Sequence, residues 1–228
     1  MNKVLITGCS SGLGLALTQL YLNKGFNVIG IARTKPNITN KHFKYIQCDL
    51  ADINNIKSNL EHIILNEKKI ELVYLNAGML GEIKSSFELS TEELNEVYSL
   101  NVYANKELLD ILAKINTKKV VAISSGAAVN GSNGWAAYSL SKAGLNMLIN
   151  LYSKEMINTK LLAVAPGVIE TPMTDYIRFE IDDTVFTSAQ RLKNGEIQTP
   201  TQAASRLDKV IDKFDEFESG SFIDVRNI

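Results

Sequence analysis

A tyrosine and a lysine four residues apart are the clearest candidates for acid–base chemistry in this sequence. Tyr138 and Lys142 lie in Trp135–Asn158, a predicted helix, so the i, i+4 spacing places both side chains on one face. A free tyrosine has a pKa of about 10, and lowering it by about 3 units needs about 4 kcal/mol of preference for the phenolate. One ammonium about 4 Å away at an effective dielectric of about 20 supplies about 4 kcal/mol. The pair could therefore exchange a proton at neutral pH, although this spacing is also common on solvated helix faces.

A glycine-rich turn lies between the first predicted strand, Val4–Thr7, and the first predicted helix, Gly12–Lys24. Glycines there let the chain turn tightly and bring backbone N–H groups to a pyrophosphate at the helix N-terminus. The spacing Gly-x-x-x-Gly-x-Gly would also suit a turn that serves packing alone. We expect a dinucleotide-binding turn made of Gly8, Ser10, Ser11, Gly12, Leu13 and Gly14.

The end of the second predicted strand, Asn27–Ile31, bears on which dinucleotide binds. In dinucleotide-binding folds an acidic residue near this point bonds the ribose 2′-hydroxyl, whereas an arginine accommodates a 2′-phosphate. The chain has no carboxylate here and offers Arg33 and Lys35, which a solvated basic turn would also explain. The sequence therefore favours NADP(H), with Arg33 as the residue that binds the phosphate.

Short apolar runs alternate with helix-period segments along the chain, which is typical of a parallel sheet with helices on both faces. The predicted strands are Val4–Thr7, Asn27–Ile31, Phe43–Gln47, Leu72–Leu75, Lys119–Ser124, Leu161–Ala165 and Ser221–Val225. The predicted helices are Gly12–Lys24, Asp52–Asn66, Thr91–Lys114, Trp135–Asn158 and Thr201–Phe214. We expect an α/β fold: a single doubly wound, Rossmann-type domain over residues 1–228 with a seven-stranded parallel sheet. Residues 166–200 lack a clear element and are expected to form a substrate loop.

The composition is that of an ordinary globular protein, with 45% hydrophobic and 21% charged residues. A net charge of -1 gives no electrostatic reason to expect nucleic acid or an anionic membrane as a partner. No apolar run approaches the length of a signal peptide or a membrane span. Cys9 and Cys48 lack metal-ligand spacing, so we expect no metal and a cytoplasmic location.

The candidate residues occur in a definite order along the chain: Gly8–Gly14, Asn76–Gly78, Ser125, Tyr138, Lys142 and Pro166–Thr171. In that order and at these spacings, the chain resembles the short-chain dehydrogenase/reductase family. The resemblance extends from the first predicted strand to the last. It implies an oxidoreductase that interconverts a carbonyl and an alcohol.

The resemblance also implies a role for each catalytic residue. Ser125 would hydrogen-bond the substrate oxygen, and Tyr138 would exchange a proton with it. Lys142 would hold the nicotinamide ribose and lower the pKa of Tyr138. Asn101 matches the fourth catalytic residue of the family and would support a water-linked proton relay to Lys142. An asparagine inside a helix can instead bond its own backbone.

Further contacts follow from the same resemblance. The expected cofactor contacts are Asp49 and Leu50 at the adenine, Asn76, Ala77 and Gly78 at the adenosine ribose, and Pro166, Gly167, Ile169 and Thr171 towards the nicotinamide. Trp135 and Met173 are candidates for the wall of the substrate site, beside Ser125 and Tyr138. Family members usually associate as homodimers or homotetramers through the helices predicted at Thr91–Lys114 and Trp135–Asn158.

The function expected from these features is NADP(H)-dependent reduction of an aldehyde, ketone or diketone, with Tyr138 as acid and base. One alternative is a dinucleotide-binding sensor or regulatory protein that keeps the fold without turnover, because fold alone does not fix function. Another is an NAD-dependent alcohol dehydrogenase, which shares the chemistry but differs in cofactor and direction.

Overall fold

Seven parallel strands form one sheet in the structure, a computed structural model that describes residues 2–228. The sheet order is β3-β2-β1-β4-β5-β6-β7, and every neighbouring pair is parallel. In chain order, strands β1 to β7 are Lys3–Thr7, Asn27–Ala32, Phe43–Gln47, Lys69–Leu75, Asn116–Ile123, Lys160–Ala165 and Phe222–Asp224. The predicted α/β, Rossmann-type fold with a seven-stranded parallel sheet is confirmed, and every predicted strand is present with ends shifted by three residues at most.

Helices cover both faces of this sheet. In chain order, helices α1 to α8 are Gly12–Asn23, Ile53–Leu65, Thr91–Tyr98, Ala104–Leu112, Ala136–Glu155, Pro172–Phe179, Thr187–Asn194 and Pro200–Asp212. One core cluster joins one face of the sheet to α1 and α8, and a second joins the other face to α2, α4 and α5. Successive residues of β1 supply both clusters, since Val4 and Ile6 enter the first and Leu5 the second. This is why the strands consist of nearly continuous apolar runs. No helix within residues 2–228 is both long and apolar enough to cross a membrane.

The prediction of a single helix over Thr91–Lys114 is wrong in one respect, because the structure has two α-helices in this range. A π-helix, Ser99–Tyr103, separates α3 from α4. Asn101 lies at its centre, and its side-chain amide bonds the backbone of Met79, which is outside the helix. Hydrophobic periodicity cannot predict hydrogen bonds to a distant segment of the chain. A π-helical turn of this kind is frequent at functional sites. The N-terminus matches the prediction, since Ser90 caps α3 in a capping box with Glu93.

The segment after β6, which the sequence left without elements, contains α6 and α7. Thr171 caps α6 through a capping box with Thr174, and Pro172 occupies the first turn. At the base of the segment, Glu170 N donates to Gln198 O at 2.9 Å and Gln198 N donates to Val168 O at 3.1 Å. Residues 172–194, here called the α6–α7 segment, therefore return close to the strand end from which they depart.

Candidate active site

The sheet order reverses between β1 and β4, and a buried threonine joins the ends of these two strands. Thr7 has no exposed surface, and its hydroxyl accepts hydrogen bonds from Asn76 N and Ala77 N, each at 2.9 Å. The Asn76 side chain donates to Thr7 O at 2.9 Å. Ligands of open α/β sheets bind where the strand order reverses, and a cleft lies at these two strand ends.

The glycine turn leaves room for an anion at the start of α1. Gly8 and Gly12 have φ angles of +69° and +50°, in the left-handed region that favours glycine. A Cβ on Gly14 would lie 2.1 Å from the Gly8 carbonyl oxygen, so this position tolerates no side chain. The N-cap residue of α1, Ser11, makes no capping hydrogen bond, and the first turn contains no acidic residue. Free N–H groups and the absence of a competing carboxylate suit a dinucleotide pyrophosphate.

One cleft of about 740 Å³ collects nearly all of the residues singled out from the sequence. Those that line it are Gly8, Ser10, Ser11, Gly12, Leu13, Arg33, Asp49, Leu50, Asn76, Ala77, Gly78, Ser125, Trp135, Tyr138, Lys142, Pro166, Gly167, Ile169, Thr171 and Met173. Gly14 and Asn101 do not line the cleft. Gly14 packs behind the glycine turn, and Asn101 is buried behind Met79.

The acid–base candidates converge on this cleft from two elements. Ser125 follows the last residue of β5 by two positions, and Tyr138 and Lys142 project from the first two turns of α5. Lys142 is buried, with 4% of its surface exposed, and its ammonium donates to Ile123 O at 2.8 Å. The same nitrogen lies 5.6 Å from the centroid of the Tyr138 ring. The solvated-face alternative for this pair is therefore excluded, because both side chains point inward.

Burial controls the titration of both groups. It raises the pKa of Tyr138 above its ordinary value, and the nearby Ser125 hydroxyl offsets part of that rise. Burial also lowers the pKa of Lys142 to about 8. The expectation that the ammonium would hold the phenol pKa down considered one charge and omitted desolvation, which is the larger effect here. A phenol with its ordinary pKa of about 10 is already protonated at neutral pH, and the raised pKa of Tyr138 keeps it so, as a proton donor requires.

Asn101 connects three parts of the site through its side chain. Its Oδ1 accepts from Met79 N at 2.9 Å, and its Nδ2 donates to Met79 O at 2.8 Å and to Ser141 Oγ at 2.9 Å. Ser141 Oγ in turn donates to Tyr138 O at 2.8 Å. The side chain therefore does not bond its own helix backbone. Sequence reasoning missed Met79 and Ser141, although Ser141 stands immediately before Lys142 in the same motif.

An apolar wall faces the tyrosine. Trp135 and Met173 line the cleft together with Ile177 and Leu192, which sequence reasoning missed because they belong to the α6–α7 segment. The Trp135 and Tyr138 rings meet edge to face, with centroids 5.9 Å apart. These residues belong to a separate apolar cluster beneath the α6–α7 segment. The arrangement suits an apolar or aromatic group next to the phenol.

The basic residues after β2 lie at one end of the cleft. Ala32 is buried, while Arg33 is exposed and lines the cleft. Within residues 2–228 the Arg33 guanidinium has no ion-pair partner, so it is free to meet an anionic ligand. Lys35 does not line the cleft. No group of three or more histidine, cysteine or acidic side chains in the described part of the chain could hold a metal ion.

Known proteins resemble the chain in both sequence and structure. A family model described as short chain dehydrogenase matches residues 2–181. A benzil reductase ((S)-benzoin forming) of Bacillus subtilis (strain 168) is 31% identical over 243 residues, which cover 99% of each chain. An NADPH-dependent pterin aldehyde reductase of Arabidopsis thaliana is 30% identical over 190 residues, which cover 75% of this chain and 76% of the relative. A crystal structure of a short chain dehydrogenase family protein from Francisella tularensis superposes with a TM-score of 0.84 at 25% identity, covering 98% of this chain and 96% of that one.

The chain belongs to the short-chain dehydrogenase/reductase family. It is therefore an oxidoreductase that acts between C–OH and C=O groups and uses a nicotinamide dinucleotide. The glycine turn, the reversal point of the sheet and the lining of the cleft fit such a cofactor.

Replacement of the buried lysine should change how stability depends on pH. Lys142→Met should raise the free energy of unfolding at pH 7 by up to about 3 kcal/mol, because the folded protein no longer desolvates an ammonium. The free energy of unfolding of the parent should rise towards that of Lys142→Met between pH 8 and 10.5. In this range folded Lys142 has lost its proton, whereas the unfolded lysine still carries one. Urea unfolding of both proteins across this range, without added cofactor, measures the effect. A difference independent of pH, like that expected for the exposed control Lys35→Met, would contradict it.

Proposed function

We propose that the protein reduces an aldehyde, ketone or diketone to an alcohol with NADPH, and that Tyr138 supplies the proton. The observation that carries this proposal is the convergence of Ser125, Tyr138 and Lys142 on the cleft at the reversal point of the sheet. A protein that only binds a dinucleotide needs no buried, protonated phenol beside a serine hydroxyl. The acid–base residues therefore favour an enzyme over a sensor.

The chain's own residues would bind and protonate the substrate oxygen. A bound nicotinamide would supply the hydride that the carbonyl carbon accepts. The Ser125 hydroxyl would hold the carbonyl oxygen, and the Tyr138 hydroxyl would donate the proton that completes the alcohol. Lys142 would hold the nicotinamide ribose from its buried position.

Asn101 would return the proton to the tyrosine through Lys142 and water. Both N–H groups of its side-chain amide donate, to Met79 O and Ser141 Oγ, and its Oδ1 accepts from Met79 N, so the acceptors that water could use are the second lone pair of Oδ1 and the backbone carbonyl. The backbone carbonyl of Asn101 also accepts a hydrogen bond from Asn105 Nδ2 at 2.8 Å. A Cβ on Gly78 would lie 3.1 Å from Asn101 Oδ1 and 3.3 Å from Lys142 Nζ, so the two residues flank the same glycine.

The nicotinamide end of the cofactor would lie against the strand end that follows β6. Thr174 Oγ1 donates to Ile169 O at 2.7 Å, while the backbone N–H of Ile169 has no hydrogen bond within residues 2–228. This N–H is the donor that a carboxamide oxygen would accept from. Thr171 faces the same cleft, although its hydroxyl already caps α6.

The substrate would enter beneath the α6–α7 segment, which serves as the substrate loop of a single dinucleotide-binding domain over residues 1–228. The apolar wall formed by Trp135, Met173, Ile177 and Leu192 supports a carbonyl with an apolar or aromatic substituent. The similarity to a benzil reductase over the full length makes an aromatic diketone the first substrate to try.

Replacement of the tyrosine tests the central claim. Tyr138→Phe should lower kcat for reduction of benzil or another accepted carbonyl by more than about 100-fold, since a positioned general acid contributes about that much. NADPH affinity, measured by fluorescence titration, should stay near that of the parent because the ring remains. The matched control is Tyr176→Phe, which removes a hydroxyl from a tyrosine that does not line the cleft. Activity of Tyr138→Phe within tenfold of the parent would refute the assignment, and NADPH binding by a parent without turnover would favour the sensor.

The second proposal is that NADPH is preferred over NADH because of Arg33. An exposed arginine at the cleft, after a strand that ends in alanine rather than a carboxylate, can bind a 2′-phosphate through two N–H groups. The NADPH-dependent relative is consistent with this choice.

Cofactor choice can be measured on any accepted carbonyl. The ratio of kcat/KM for NADPH over NADH should fall about 10- to 150-fold in Arg33→Ala, which is the loss of one charge-assisted hydrogen bond. Lys35→Ala, two residues further along and outside the cleft, is the control and should change the ratio far less. An NADH preference in the parent would support the NAD-dependent alternative instead. An unchanged ratio in Arg33→Ala would contradict the role of that residue.

We also propose that the protein forms a homodimer, or a tetramer built from such dimers, through α5. Leu140, Met147 and Leu151 lie on one face of this helix, and each leaves about half of its surface exposed, at 49%, 59% and 54%. Tyr103, in the neighbouring π-helix, is also exposed. A second copy of this chain would cover the stripe, as happens in the family.

The oligomeric state should respond to charge on this stripe. The double variant Met147→Asp with Leu151→Asp should lower the mass measured by light scattering to that of one 25.2 kDa chain, because a dimer would bury the carboxylates. Ile157→Asp places the same charge on an exposed apolar residue beyond the end of α5 and should leave the mass unchanged. A parent that is already monomeric would refute the proposal.

A further inference from the structure

The α6–α7 segment is fastened to one short stretch before the catalytic tyrosine. Arg191 Nη2 donates to Ser132 Oγ at 2.8 Å. Gly134 has a φ of +85°, and a Cβ there would lie 2.6 Å from the Phe186 ring, so this ring rests on the glycine. The indole N–H of Trp135 donates to Ser188 Oγ. Three positions within Ser132–Trp135 thus contact α7 or the loop before it.

Trp135 stands between two clefts. The cofactor cleft described above lies on one side, and a second cleft of about 1310 Å³ adjoins it. The residues that line both are Ser125, Trp135, Gly167, Val168 and Leu192. Two of these, Trp135 and Leu192, have large apolar side chains. The second cleft includes charged side chains such as Arg191 and Arg206, and the Trp135 indole lies between it and the apolar surface around Tyr138.

We propose that Ser188 is a positioning residue that holds Trp135 as a wall, and that this wall limits the length of the substrate. The inference rests on the proposed reductase function and adds the residue that sets its substrate range. Ser188 does not line the cofactor cleft, so it acts on the substrate only through the indole.

The environment of Ser188 supports this role. The residue lies in the first turn of α7, and only 5% of its surface is exposed. A buried hydroxyl needs a partner, and its partner in the described part of the chain is the Trp135 indole. The indole also meets the ring of Tyr138 edge to face, and Tyr138 lies three residues further along, in the first turn of α5. Without the serine oxygen, the indole would lose the contact that fixes its ring plane and could swing towards the second cleft.

A graded series of diketones tests the wall. We would compare 2,3-butanedione, 1-phenyl-1,2-propanedione and benzil in the parent, Ser188→Ala and Ser188→Thr. In Ser188→Ala the ratio of kcat/KM for benzil over 2,3-butanedione should rise about 3- to 10-fold, the size of one neutral hydrogen bond, mainly through a lower KM for benzil. Ser188→Thr retains the acceptor and should stay near the parent. Ser205→Ala, an exposed serine in the second cleft, is the matched control and should have no effect.

A double-mutant cycle separates positioning from a general effect on the fold. Trp135→Phe removes the indole N–H and keeps an aromatic ring, so adding Ser188→Ala to it should change the substrate ratio no further. In Ser188→Ala and in Trp135→Phe, the pH profile of kcat for 2,3-butanedione should remain that of the parent. Additive effects, or an equal loss of kcat on all three substrates, would overturn the proposal and leave Ser188 a merely structural residue.

A measurement without turnover keeps this test independent of the proposed function. Trp135 is the one tryptophan of the sequence, so the intrinsic fluorescence at 295 nm excitation reports on this site alone. The acrylamide quenching constant should rise in Ser188→Ala and remain at the parent value in Ser188→Thr and Ser205→Ala. An unchanged constant in Ser188→Ala would refute the contact. A higher quenching constant in Ser188→Ala, in a protein that reduces no aldehyde, ketone or diketone with NADPH, would refute the reductase proposal while retaining the Ser188–Trp135 contact.

Discussion

The buried hydroxyl of Thr7 accepts two backbone N–H groups from the end of β4, and the site depends on this junction. It holds together the two strand ends between which the sheet order reverses, where the cleft lies. The Asn76 amide extends the junction to the Thr7 carbonyl, beside the glycine turn. Because the Thr7 side chain is wholly buried, its loss would leave two N–H donors without partners, which is costly. The cofactor site is thus built on a strand junction rather than on a flexible loop.

Among the acid–base residues, burial sets the pKa values, and hydrogen bonds hold the surrounding backbone in place. Desolvation keeps the Tyr138 phenol protonated and lowers the pKa of Lys142, so the Lys142 ammonium is the group of this pair that loses its proton more easily. Asn101 and Ser141 bond only backbone atoms and each other around this pair. Their effect is to hold Met79 and the first turns of α5 in place. Asn101 reaches Met79 from the centre of the π-helix.

The α6–α7 segment, which lines the substrate side of the cleft, is joined by hydrogen bonds to the residues around Tyr138. The segment contacts the residues that immediately precede Tyr138 in the sequence. A shift of α7 would therefore move Trp135 and, through it, the Tyr138 ring. The strand end at Ile169 and Gln198 closes the base of the segment. Variation of substrate within one fold can then arise in α6 and α7, while the proton chemistry stays on β5 and α5.

The sequence by itself determined the fold class and the motif residues, because both depend on local rules. Buried parallel strands require apolar runs, a tight turn into a helix requires glycine, and an i, i+4 pair on a helix shares a face. It did not determine the partners of Asn101, the lining by Ile177 and Leu192, or the Ser188–Trp135 contact, since each joins residues 20 or more positions apart. The same limit explains the error about Tyr138: spacing gave the distance to one ammonium, whereas desolvation depends on every element packed around the phenol. Only the tertiary structure brings those elements together, and it therefore decided the electrostatics and the walls of the site.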